Sequence, residues 1–381
     1  MGSAEFSRVW PEGSSMTRPS RHVTRLLVLL SSLALVGTAS AHVRYVVDDA
    51  ADVESIVTFV VTTVSTPLHA LLLSGGAVGV VGGVLAYRRL QPFERDRELF
   101  AEAMADYRDL LPWLLRISLG IPLIGAGFSG YYFTPLLESD ARLVFIGLGF
   151  LLLFGLATRL LAAIGLALYL IGLATEPVLL LQFEYVGGFL ALLVIGGGRP
   201  SADDVFNRLA ADDETTYGRI DPFHDLAVRF RERIAPARAL VPLVIRLSLA
   251  LTFVYLGVAE KLLNPGAALG VVAKYDLTAV VPVAPELWVV GAALSEVAVG
   301  VVLAVGLYTR AAAGLSLGLF TLTLFGLPDD PVLAHLSLFG LASALIITGA
   351  GRYSLDDALE SAARDADTAD GADGDADADL A

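Results

Sequence analysis

Apolar positions in this chain run in solid blocks, most of them near the roughly 18 residues that read as membrane-spanning, and not in alternating or one-faced patterns. Residues 53–87 are too long for one straight span, about 50 Å at 1.5 Å per residue, and Pro67 divides them. We expect 53–64 to form an interfacial or extended outer turn and 66–87 the first span. Further spans are predicted near 112–134, 141–158, 160–175 and 178–197. A charged stretch, 198–239, follows. Four more spans are predicted near 240–262, 285–307, 311–327 and 332–350. The pattern predicts an all-α, multi-pass membrane protein with nine spanning helices.

The N-terminus adds a leader. Arg18, Arg21 and Arg25 precede the apolar run 26–36, which is followed by Ala39-Ser40-Ala41. That order reads as a secretory signal with a small-residue cleavage site. The mature chain would begin at His42, outside. Residues 1–15 form a polar extension with no reading of their own. Placing His42 outside puts Arg88, Arg89, Arg159, Arg199, the arginine-rich 198–239 stretch, Arg310 and Arg352 all inside. Arg142, Lys261 and Lys274 fall outside. That distribution follows the positive-inside rule, so the C-terminus is expected in the cytoplasm of a cell-membrane protein. The acidic tail from Asp365 alternates Asp with small residues, cannot bury a core and reads as disordered.

The two halves read alike. LPWLLRISLG (111–120) matches VPLVIRLSLA (241–250). GLATRLLAAIGLAL (155–168) matches GLYTRAAAGLSLGL (306–319), and VIGGGRPSADD (194–204) matches ITGAGRYSLDD (347–357). Arg116 pairs with Arg246, Arg159 with Arg310 and Arg199 with Arg352. The expected organisation is an extension and signal peptide (1–41), then an outer segment, first span and linker (42–110). Two tandem four-helix units follow (111–200 and 240–355), joined by a cytoplasmic linker (201–239) and ended by the tail (356–381). Both units start inside, so they are parallel repeats.

The second half resembles the DoxX/DoxD family of four-helix membrane proteins. The resemblance rests on RLSLALTFVYLGVAEKLLNPG, then SEVAVGVVLAVGLYTRAAAG, then GAGRYSLD. The first half resembles it more weakly. The resemblance implies an association with membrane redox complexes, including a thiosulfate:quinone oxidoreductase. It thereby implies quinone as the candidate cofactor and a soluble redox protein as the candidate partner.

Intramembrane polar residues mark candidate chemistry. Glu296 stands near the middle of span 285–307, where an unpaired carboxylate costs several kcal/mol. Ala292, Glu296 and Gly300 share one helix face, so a neighbouring helix can approach closely. Glu296 is therefore either a hydrogen-bonded structural acid or a proton-carrying, ligand-binding one, and it is the candidate catalytic residue. Lys261 follows Gly257 at i+4 near the outer rim. It either snorkels to the headgroups or turns inward to Glu296 or an anionic ligand. Glu260 should point about 100° away, toward the solvated rim. His335, Gln182, Glu184 and His69 fall at or near the outer ends of their helices. Tyr255 and Tyr308 could line a site there, so Lys261, His335 and Tyr255 are the candidate ligand-binding set. Aligned on the Thr-Arg pairs, Glu296 corresponds to Phe145. Aligned on Arg116 and Arg246, Lys261 corresponds to Tyr131. The first half thus reads as scaffold. Arg116 and Arg246, four residues after Pro112 and Pro242, are expected to snorkel toward lipid phosphate.

Composition narrows the functions. The formal charge is −14, and there is no Cys. Thiolate metal sites and dithiol relays are excluded, and a nucleic-acid partner lacks its clustered bases. Only Met104 follows the leader, so no metal site is expected, even with His42 at a new N-terminus. Abundant Asp and Arg beside two Lys give a halophile-like composition. No Walker loop, dinucleotide fingerprint or H-E-x-x-H occurs. Three functions fit: a non-cofactor subunit or anchor of a quinone-linked redox complex, a structural or assembly protein, or a small-solute transporter with Glu296 as coupling acid.

Overall fold

The computed structural model describes residues 53, 55–90, 92–222, 224–359 and 361–362. The expected signal peptide, His42 and the acidic tail from Asp365 lie outside the described residues.

The chain opens with two helices, α1 (Ile56–Ser65) and α2 (Pro67–Leu90). The first of these replaces the outer turn expected over 53–64. The Ser55 hydroxyl caps α1 by accepting from the Thr58 amide at 3.0 Å. Phe59 is buried in a small apolar cluster with Ala268, Val272, Val289 and Val290. Pro67, without an amide hydrogen, then opens α2 as a new helix. No residue of α2 is buried.

Then come α3 (Glu94–Ala105), α4 (Leu111–Ser129), a hairpin of β1 (Tyr131–Tyr132) and β2 (Thr134–Glu138), α5 (Arg142–Phe154), α6 (Thr158–Thr175) and α7 (Glu184–Ile195). The polar stretch holds α8 (Ala202–Ala210), α9 (Thr216–Ile220) and α10 (His224–Ile234). The remainder is α11 (Val241–Tyr255), α12 (Pro265–Lys274), α13 (Leu277–Val280), α14 (Pro285–Val305), α15 (Thr309–Gly326) and α16 (Val332–Thr348). Apart from the short hairpin, the secondary structure among the described residues is all helical, as expected of a multi-pass membrane protein. The hairpin corrects the span drawn over 112–134. The helix stops at Ser129 because Gly130 turns left-handed at φ 79°, a conformation that glycine adopts without steric cost. Among the described residues, five helical stretches are long and apolar enough to cross a membrane. They are α2, the stretch ending in α4, α6, the stretch running through α11, and α14; α5, α7 and α16 are apolar but shorter.

Four helices make the centre. α4 packs on α16 and α11 packs on α7, with α5 beside α4 and α14 beside α11. One apolar core, from Leu115 and Leu119 through Leu192 and Leu249 to Leu341, runs without a break across all of them. Glycines permit the close approaches: a Cβ on Gly187 would strike Ser248, and one on Gly340 would strike Ser118.

Buried arginines hold one end of the bundle, called here the arginine end. Arg116 donates to the carbonyls of Gly197 (2.7 Å) and Pro200 (2.8 Å). Arg246 donates to those of Ala350 (3.1 Å) and Tyr353 (2.9 Å). The two are 2 % and 1 % exposed, so they do not snorkel to lipid phosphate as expected. The reason is local. The chain leaving α7 and α16 turns through left-handed glycines, among them Gly196, Gly198, Gly349 and Gly351. Carbonyls left without helical partners there need buried donors. Carboxylates cap the facing helices in the same way. Asp203 accepts from the amides of Ala157 (2.6 Å) and Thr158 (2.9 Å), and Asp356 from those of Tyr308 (2.7 Å) and Thr309 (3.0 Å). Each sits where the helix macrodipole favours an anion.

Candidate functional site

The far end of the bundle, opposite the arginines, carries the charges. After Tyr255 the helix widens over Leu256–Leu262 into π-helical turns, and the Leu263 amide bonds the Val258 carbonyl five residues back at 2.9 Å. Such widenings cluster at functional sites. Gly257 lets this segment press against α14, since a Cβ there would lie 2.6 Å from the Ala293 carbonyl and 3.4 Å from Glu296 Cβ.

Across this contact Lys261 Nζ lies 2.7 Å from both carboxylate oxygens of Glu296. Lys261 thus turns inward and does not reach for the headgroups. An ammonium has three N–H donors, and this pairing uses two. Glu296 lies about 17 Å along α14 at 1.5 Å per residue, near the midpoint of the helix. Neither side chain is sealed: they are 23 % and 22 % exposed.

Glu260 is a correction. It is fully buried and partnered inside the fold, not solvated at a rim. In an α-helix adjacent side chains diverge by about 100°. A turn closed five residues back holds more residues, so the angle shrinks and Glu260 and Lys261 both face protein. Tyr255 is buried, within electrostatic reach of Glu260, and its hydroxyl has no hydrogen-bond partner among the described residues.

His335 is 3 % exposed, with both ring nitrogens engaged. Nδ1 lies 3.2 Å from the Pro331 carbonyl, and Nε2 lies 3.4 Å from Asp330 Oδ2. A hydrogen bond across the Nε2–Oδ2 contact needs a proton on one of those two atoms. Burial raises the Asp330 carboxyl above its ordinary range, while the His335 and Lys261 charges pull it back down. Asp330 therefore ties His335 electrostatically to Lys261. Tyr308, by contrast, is not at this end. It opens α15 at the arginine end, edge-on to Tyr87 with ring centroids 5.3 Å apart.

Glu184, expected at the rim with Gln182, is fully buried between three helices. It accepts from Ser337 Oγ of α16 (2.8 Å) and Thr252 Oγ1 of α11 (3.2 Å). Gln182 is 2 % exposed. His69 lies at the start of α2, with Nδ1 3.1 Å from the Thr63 carbonyl. Glu184 was legible in principle, because it follows an apolar run and precedes the small pair Gly187-Gly188, the setting that marked Glu296.

The first half fills the corresponding region with rings. Phe133, in the hairpin, packs edge-on against Tyr132, Phe145, Tyr169 and Tyr185, with centroids 5.0–5.2 Å apart. Phe145, the position that aligns with Glu296, is 1 % exposed. Residues 241–328, which take in α11 to α15, match the DoxX family. No curated protein and no solved structure matches the chain.

Proposed function

We propose that this DoxX-containing membrane protein is the membrane component of a quinone-linked redox system, with its ligand site at Lys261 and Glu296. The observation that carries the reading is the partial exposure of that ion pair near the middle of α14. Charges at hydrocarbon depth are costly, and they are normally turned into the bundle. A pair that is about one-fifth exposed there suits a lipophilic ligand arriving from the bilayer. The remaining N–H of Lys261 can donate to a carbonyl, and Glu296 can exchange protons with a bound oxygen. A quinone would supply the redox chemistry, while these residues hold its headgroup and manage a proton. Electrons would come from a soluble partner that carries its own redox centre.

The first half serves as scaffold on this reading. Two related units are supported by the recurrence of the arginine and aspartate caps at positions that align, and by the aromatic plug where the second half holds ions. The proposed orientation, with Lys261 outside and the arginine end in the cytoplasm, rests on the distribution of Arg.

The test is quinone titration of the purified full chain against the charge-neutral double variant Lys261→Met/Glu296→Gln. Binding and quinone-linked activity should be lost in a folded double variant. Unchanged quinone binding would refute the site. A structural reading has one observation in its favour, the bidentate closure of the pair. It predicts a destabilised Glu296→Gln single variant with respiration intact at matched protein level.

A further inference from the structure

A second candidate site lies at the arginine end of the first half. A cavity of about 810 Å³ opens between the start of α6, the α7–α8 turn and α10. Arg159, Arg199, Arg231 and Arg238 line it, with Leu160 and Ala163 of α6 and Phe230 of α10 among its apolar walls. The acids on the cavity are largely committed. Both oxygens of Asp203 accept backbone amides. Asp204 holds Arg199 at 3.0 Å and Arg208 at 2.7 Å. Asp221 also lines the cavity and has an interaction of its own. Arg159 donates to the carbonyls of Leu193 (3.1 Å), Val194 (3.3 Å) and Ile195 (3.2 Å), which hold its guanidinium at the cavity wall. Arg231 and Arg238 lie within electrostatic reach of Arg159. Neither has a hydrogen bond or ion pair from its guanidinium among the described residues.

Three mutually repelling guanidinium groups are thus gathered beside a lipid-facing helix, two of them with their donors unused. Planar guanidinium donors match phosphate oxygens in pairs. The rest of the wall is apolar: Leu160 is 62 % exposed and continues along α6, and Leu226 of α10 is 64 % exposed. Basic pockets between helices at a membrane face take phosphate headgroups in this way. We propose that this cavity binds a phosphate-bearing anion, delivered as the headgroup of an anionic phospholipid whose chains run along α6.

The test uses the delipidated full chain in neutral detergent, with native mass spectrometry counting retained phosphatidylglycerol or phosphatidylcholine of equal chain length. Wild type should retain phosphatidylglycerol preferentially. Arg231→Gln/Arg238→Gln should lower that preference by about thirty-fold, from the roughly fivefold (about 1 kcal/mol) that each basic residue near an anionic headgroup contributes. The guanidinium groups of these two residues have no hydrogen bond or ion pair among the described residues, so folding should be preserved, with unchanged circular dichroism as the check. In a parallel arm inorganic phosphate is added at matched ionic strength. Retention of phosphatidylglycerol supports the lipid as the source, and its displacement with protection by phosphate alone assigns the site to free phosphate. Equal retention of the two lipids by wild type with no effect of phosphate, or undiminished preference in the variant, overturns the proposal.

Discussion

Separating Lys261 from Glu296 should cost the fold unequally, depending on which partner is removed. Leaving one charge of a buried pair uncompensated costs about 3–5 kcal/mol, and a charge at the centre of a membrane helix costs about 2.5–3.5 kcal/mol on insertion scales. The side chains here are 23 % and 22 % exposed, which favours the lower values. Glu296→Gln frees a long side chain at the end of its helix. That chain can swing outward, so about 1–2 kcal/mol is expected. Lys261→Met strands a short carboxylate at mid-helix with nowhere to reach, and about 3 kcal/mol is expected. The double variant removes both charges and should lie within about 1 kcal/mol of wild type. The cycle then gives a coupling of about 3–5 kcal/mol, read from reversible unfolding of the full chain in mixed micelles. If the losses add, with a coupling below about 0.5 kcal/mol, the pair is not energetically linked and the reasoning fails.

Three further outcomes follow from the same geometry. Arg246→Lys should lower the unfolding midpoint nearly as far as Arg246→Met, because one ammonium cannot span the Ala350 and Tyr353 carbonyls that the guanidinium bridges; the expected loss is about 2 kcal/mol, and full rescue by Lys would count against the cap. Gly257→Ala should destabilise and weaken any ligand bound at Glu296, since its Cβ meets the Ala293 carbonyl, while Gly291→Ala, with nothing within 4 Å, should be tolerated in the same assay. At the far end Lys274 lies 2.7 Å from Asp329, and its hydrogen bond, seconded by that of Tyr275, draws the Asp329 carboxyl below its ordinary range. A depressed carboxyl contributes stability above its unfolded pKa and loses it as pH falls through the folded one. Limited proteolysis between α12 and α14 should therefore stay slow at neutral pH and quicken only in acid, and Asp329→Asn should remove the pH dependence.

Helical, membrane-spanning character was legible because solid apolar blocks have one economical solution in lipid, where backbone groups must bond within the segment; the number of spans was not, since five of the nine expected are long and apolar enough to cross among the described residues. The inward turn of Lys261 was legible as one of two alternatives, from its spacing to Gly257. What periodicity could not convey were departures from the regular helix. The π turns at Leu256–Leu262 re-aim Glu260, and Gly130 breaks α4 to admit a hairpin. Neither follows from a constant 100° step. Arg116 and Arg246 were misread for another reason. Their acceptors, the carbonyls at 197, 200, 350 and 353, lie far along the chain, in turns whose shape sequence spacing does not disclose.

Glu184 links the two halves more directly than any cap. On the alignment of Arg199 with Arg352 its counterpart is Ser337, and Ser337 is the residue that donates to it across the interface. If the halves are repeats, two aligned positions that touch lie beside the axis relating them. A buried carboxyl there accepts one hydroxyl from each of α11 and α16, so it reports on their spacing. The same helices lead outward to the charged end, α11 into the π segment that bears Lys261 and α16 from His335. Glu184→Gln keeps the shape but changes the acceptor, and Glu184→Leu removes the bonds. If the halves act as one body, only the second should loosen the Lys261–Glu296 contact, a distance that paired spin labels on the π segment and α14 can follow.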